Sequence, residues 1–161
     1  MDISLLFSVP LATQCHVVAA IFSVALTPVM LLRRKGDKLH KISGRIWVFA
    51  MAFTALSSFA INDIRLVGPF SPIHLLSLLT LHSLFAAIRS ARAGRITEHK
   101  KNIFGAMAGL YGAGLFTLLP GRLMSQVLFP GIEMQGFIGA LVAAGVSIVI
   151  WRANFRRAVS G

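Results

Sequence analysis

The sequence predicts an all-α integral membrane bundle of about five transmembrane helices, and three observations predict it. The 161-residue chain is 56% hydrophobic and only 13% charged, with a mean hydropathy of +0.77. That is too apolar for a soluble domain, which must cover itself with polar surface. Five long stretches hold no Asp, Glu, Lys or Arg: Ile3 to Leu32, Ile46 to Asn62, Leu66 to Ile88, Asn102 to Gly121 and Met134 to Trp151. Each approaches or exceeds the ~20 residues that a helix needs to cross about 30 Å of hydrocarbon. The polar and apolar alternation of a membrane barrel is absent, since Phe49-Ala50-Met51-Ala52-Phe53 is apolar throughout.

The first span is expected over 11–33. Its start lacks a basic n-region, Asp2 being the only early charge, and its apolar run reaches Leu32 without a small-residue cleavage site, so it reads as a mature helix. Pro28 should bend it, which membrane helices tolerate when neighbours satisfy the freed carbonyl. Cys15, the single cysteine, rules out an internal disulfide and any multi-cysteine metal site and reads as a packing residue. Gly36 and Asp37 fit a helix end and the N-cap of a second span over 42–62. Gly68-Pro69-Phe70-Ser71-Pro72 forces a turn into the third span, 73–91. Gly94 and Thr97 repeat the end-and-cap pattern before the fourth, 102–119. There Gly105, Gly109 and Gly112 form a smooth stripe at i, i+4 and i+7, which suits either a flat macrocycle or another helix. The fifth span, 135–152, carries Gly139 and Ala143 as packing positions. The chain thus reads as one membrane domain over 1–161, with a four-helix repeat core over 1–128 and a fifth helix and basic tail over 129–161.

Fourteen of the sixteen Lys and Arg residues follow the first, third and fifth spans, and only Arg65 and Arg122 fall on the other side. This bias places the N-terminus outside and the C-terminus in the cytoplasm, in a bacterial inner membrane. The net charge of +11 then belongs to helix ends beside anionic lipid headgroups and not to nucleic-acid binding.

An internal repeat organises the histidines. His16 precedes His40-Lys41 by 24 residues (16 to 40), and His74 precedes His99-Lys100 by 25 (74 to 99). Each copy runs apolar span, basic loop, apolar span, so the chain reads as a duplicated helical hairpin with equivalent residues facing a shared core. In an up-and-down bundle the first and third spans are diagonal, as are the second and fourth. His16 with His74, and His40 with His99, would then suit the axial positions of one or two b-type haems, on the order of 25 Å apart along the helices. Arg65, Arg122 and Arg45 are candidates to pair haem propionates or other anions, as are Lys41, Lys100 and Arg95. Each residue also has a plain reading. His40 and His99 sit where lipid phosphate would meet them, His74 can anchor at an interface, and His82 reads as a packed core histidine. Trp47, Trp151 and Tyr111 read as interface anchors or core fillers.

Several motifs together resemble a known family: Arg34-Lys35-Gly36-Asp37-Lys38-Leu39-His40-Lys41-Ile42-Ser43-Gly44-Arg45-Ile46-Trp47, Pro72-Ile73-His74-Leu75, Glu98-His99-Lys100, and Gly114-Leu115-Phe116-Thr117-Leu118-Leu119-Pro120-Gly121-Arg122. They are similar to the predicted membrane proteins grouped as domain of unknown function 2306, over roughly residues 16 to 128. The resemblance implies a polytopic membrane protein in which His16, His40, His74, His99 and the Pro120-Gly121-Arg122 turn match the family pattern, and it assigns no activity. A second similarity, to the four-helix core of cytochrome b561-type proteins, rests on the placement of the histidines alone.

Three functional classes follow. A redox protein would use the two histidine pairs as haem ligands and pass electrons from a quinone or periplasmic donor to a cytoplasmic-side acceptor. A transporter would relay protons or ions through His82, His74 and Asp63, although five helices and no paired intramembrane carboxylate argue against it. An accessory or assembly subunit of a larger membrane complex would need only lipids and helix contact faces. No hydrolase or transferase constellation is visible, since Ser57 and Ser58 have no acid-base partner in sequence and no phosphate-binding glycine loop occurs.

Overall fold

A computed structural model describes residues 1–61, 72–143 and 145. The described residues are helical with no strand: α1 (Ser4–Ser8), α2 (Leu11–Leu32), α3 (Lys38–Ser57) continued by a 3-10 turn (Ser58–Ala60), α4 (Pro72–Arg92), α5 (Ile96–Thr117) and α6 (Leu123–Leu128). A further helix, α7, runs over 133–143. Two compact units divide the chain, Val9–Ala113 and Met1–Ser8 with Gly114–Gly161.

Three helical segments, Leu11–Leu32, Lys38–Ala60 and Ile73–Arg92, are long and apolar enough to cross a membrane. At 1.5 Å per residue they reach roughly 30 Å or more, the thickness of a hydrocarbon core. Helix α5 is as long as α2, but its first two turns carry Glu98, Lys100 and Lys101 and its remainder is rich in glycine. The fifth expected span extends past the described residues, as do Asp63, Arg65, Trp151 and the Gly68-Pro69-Phe70-Ser71-Pro72 turn except Pro72.

Helix starts differ from the edges of the charge-free stretches because capping sets them. The Asp37 side chain accepts from the His40 backbone N–H at 2.6 Å, so α3 begins at Lys38 instead of 42. Gly94 takes φ +71°, its N–H donates to Ala91 O at 3.2 Å, and the Arg95 N–H donates to Ser90 O at 2.9 Å. That is the paired closure of a helix C-terminus on a left-handed glycine. With the chain so turned, α5 starts at Ile96, ahead of Thr97.

In the unit Val9–Ala113, Met30 of α2, Trp47 and Met51 of α3, Leu84 of α4 and Ala106, Met107 and Leu110 of α5 form one core. Trp47 is fully buried and its Nε1–H donates to Thr27 Oγ1 at 2.9 Å and Ser23 O at 3.1 Å. Pro28 cannot donate to the Val24 carbonyl four residues earlier. The chain stays helical through Pro28, and the Tyr111 hydroxyl supplies a long 3.4 Å hydrogen bond to that carbonyl. Cys15, expected to pack inside, is exposed. It lines an apolar groove along α2 and α3 with Leu11, Gln14, Val18, Phe22, Ile46, Phe49 and Phe53.

The glycine stripe of α5 is a helix contact. A Cβ at Gly109 would lie 3.5 Å from Leu76 Cδ1 and 3.6 Å from Thr80 Oγ1, and one at Gly105 would lie 4.0 Å from Ser83 Oγ, whereas Gly112 faces open space. In the other unit, the Asp2 N–H donates to Val127 O at 2.9 Å, tying the N-terminus to α6.

Candidate functional site

The four repeat histidines fall in two groups at opposite ends of the unit Val9–Ala113. Helices α2 and α3 run antiparallel, as the His16 to Ser57 and Ser23 to Trp47 bonds require. Helices α4 and α5 do the same, with His99 against Ala87 and Gly109 against Leu76. His40 lies close enough to His99, Lys35 and Arg33 to feel their charges. His40 and His99 thus lie at the same basic end of this unit.

Hydrogen bonding fixes one tautomer. His99 Nδ1 lies 2.9 Å from Ala87 O, and a carbonyl only accepts, so Nδ1 carries the proton. In the neutral form the His99 ring then presents the Nε2 lone pair, the atom that ligates a metal when Nδ1–H is held by an oxygen acceptor. His16 Nδ1 lies 3.1 Å from Ser57 Oγ, which itself lies 3.1 Å from Thr54 O.

The other two members are set differently. His74 is 5% exposed and stacks on Phe59, with ring centroids 5.3 Å apart and planes 5° from parallel. One turn along α4, Ser77 Oγ meets Ser58 Oγ at 2.6 Å. His16 and His74 are thus both held against the C-terminal end of α3, through Ser57 and Phe59 respectively. His40 is half-buried, and its Nδ1 is buried with no hydrogen-bond partner among the described residues.

At the basic end Arg33 Nη2 meets Asp37 Oδ2 at 3.5 Å and Arg95 Nε meets Glu98 Oε2 at 2.8 Å. The hydrogen bond from the His40 backbone N–H, with Arg33 nearby, holds the Asp37 carboxyl below its ordinary value. Lys41, Arg45 and Lys100 are exposed. Arg122 belongs to the other unit and lies 4.9 Å over the Phe116 ring, beside Gly121, whose left-handed turn lets its N–H reach Glu133 Oε2 at 2.7 Å. The Pro120-Gly121-Arg122 motif is thereby accounted for by a turn and a cation–π contact.

His82 corrects an expectation. It is exposed, facing away from the core, while His74 is inside, so the proposed relay through both does not share one face of α4.

A b-type haem asks for two opposed imidazole lone pairs and room for a flat macrocycle. The donor types suit such a site: His99 presents Nε2, His74 is buried, and His40 Nδ1 has no hydrogen-bond partner among the described residues. Trp47 and its neighbours fill the core of this unit. The described grooves along α2 and α3 and beside Phe85, Ile88, Arg89, Arg92 and Ala93 include none of the four histidines. Among the described residues no cluster of three or more His, Cys, Asp or Glu could hold a metal ion.

Residues 13–153 match the family described as Predicted membrane protein (DUF2306). No curated protein and no solved structure matches.

Proposed function

The chain belongs to the DUF2306 family of predicted membrane proteins, and from that membrane setting we propose that it is a b-type haem electron-transfer protein with bis-histidine sites. His16 with His74 would hold one haem and His40 with His99 another, with a quinone or periplasmic carrier as donor. The observation that carries this reading is the ring setting of His99, whose Nδ1–H is taken by the Ala87 carbonyl so that the neutral ring keeps its lone pair on Nε2, with His16 Nδ1 held beside Ser57 Oγ.

When bound, haem supplies one-electron chemistry. The chain supplies the rest. Ser57 and Ala87 orient two rings, and the Phe59 stack holds a third, the buried His74. Because the core is filled, the macrocycle would enter between helices by displacing side chains, which makes loading part of folding.

The same filled core favours a second reading, a packed accessory subunit of a larger membrane complex that needs no chemistry. The discriminating experiment is a visible spectrum of detergent-purified protein from haem-replete cells, oxidised and then reduced with dithionite. The redox reading expects a reduced-minus-oxidised b-type band that weakens in His16→Ala and His99→Ala and persists in His82→Ala. A colourless protein that leaves the membrane with larger partners would overturn it in favour of the accessory reading.

A further inference from the structure

Helix α4 has two seams. Its buried side is His74, Ser77, Thr80, Leu84, Ala87 and Ser90, which joins the four-helix core. Its exposed side carries Leu75, Leu78, His82, Phe85 and Arg89 at steps of three, four, three and four residues. That alternation is the spacing by which one helix packs along another, with side chains of each fitting between those of its mate.

Apolar residues on this side need no explanation in a membrane, where lipid is as apolar as a helix. His82 does. It stands ten residues from Pro72 and ten from Arg92, so it sits roughly 15 Å from either end of the helix, at mid-span. Among the described residues it makes no hydrogen bond, and its side chain is too short to reach a headgroup as lysine or arginine would. An imidazole presenting a donor and an acceptor to hydrocarbon is costly, and ionisable residues in membrane spans face protein or water.

We propose that this seam is the interface with a second copy of the same chain, α4 against α4, with His82 meeting its own counterpart. The occupant follows from two facts. First, the basic loops after α2 and α4, Arg33 to Arg45 and Arg89 to Lys101, bias the chain to insert in one sense, so two copies in one membrane are parallel and related by an axis along the membrane normal. Each residue of the seam then meets its own equivalent at the same depth. Second, a neutral imidazole is self-complementary, because the N–H of one ring donates to the bare nitrogen of the other. A foreign helix would have to bring its own polar group to that depth. Arg89 lies in the last turn of α4, where its charge reaches the headgroups and need not oppose its mate. The shallow recess beside Phe85 and Arg89 gives the basic end of the seam room for a side chain of the partner.

Cysteine scanning tests this in native membranes, in a Cys15→Ser background, with copper phenanthroline as oxidant. Leu78→Cys, His82→Cys and Phe85→Cys are expected to give disulfide-linked dimers, and Leu79→Cys and Ile88→Cys, which flank the seam, at least several-fold less. Leu78→Cys and Phe85→Cys keep His82 intact, so loss of the interface through His82 itself is separated from its absence. No dimer at any position, equal dimer at all five, or an intramolecular link to Ile138→Cys in α7 would each overturn the proposal. None of these outcomes depends on haem, so the two proposals stand or fall separately.

Discussion

At the scale of single residues, the protonation states of a few groups carry most of the chemistry. Asp37 caps α3 with a carboxyl held below its ordinary value by the hydrogen bond from His40 N–H. A lowered folded value means that its contribution is present above the unfolded carboxylate range and is lost as pH falls through the folded value, below about pH 4. Thermal unfolding of the detergent-solubilised protein should therefore show a stability decline in acid that is shallower in Asp37→Asn, whose amide oxygen still caps but does not titrate. An identical acid limb in wild type and variant would contradict the cap assignment. The positions of His40 and His99 in first helical turns were legible in the sequence, because Gly36-Asp37 and Gly94 mark the turns that precede them. The exposure of Cys15 and His82 was not. In water, hydrophobic periodicity separates inside from outside, but in lipid both faces of a helix are apolar and the signal vanishes. The hydrogen bonds at the His16 and His99 Nδ1 atoms were equally hidden, since their partners Ser57 and Ala87 become neighbours only once each hairpin closes.

At the scale of elements, small residues decide how the hairpins close. Gly109 lets α5 approach α4 to within contact of Leu76 and Thr80, while Gly112, on the same helix, has no neighbour within 4 Å. Gly109→Val should cost about 1–3 kcal/mol by overpacking that contact, read as a lower unfolding temperature, whereas Gly112→Val should change little. Equal effects at the two positions would mean that the stripe is not the α4 contact. The existence of the long helices was readable from charge-free stretches, but the edges of those stretches did not mark the helix starts, because the Asp37 cap and the Gly94 turn carry α3 and α5 past the apolar boundary into charged sequence. The short helices α1 and α6 escaped notice for a different reason. Five and six residues are too few to show a helical period, and α6 follows a turn at Gly121 whose reading needs the Glu133 contact.

At the scale of the whole molecule, the repeat read from the histidines has a counterpart in the core. The offset of 59 that takes His40 to His99 also takes Trp47 to Ala106 and Met51 to Leu110. All four of those apolar positions belong to the same core, with the large Trp47 answered by the small Ala106. A duplicated hairpin thus accounts for both the packing and the two groups of histidines at opposite ends. It was legible because a repeat needs only spacing. What fills or opens the space between the pairs was not, because side-chain volume at Trp47 and the Phe59 stack on His74 are properties of the closed bundle.

The central claim is that each histidine pair holds one haem, and the ratio of haem to chain tests it most directly. Pyridine haemochrome assay of the purified protein, set against quantitative amino-acid analysis, should give two haems per chain in wild type. It should give one in His16→Ala and one in His99→Ala, with none when both are changed. A ratio near zero in wild type, or one unchanged by either substitution, would contradict the claim.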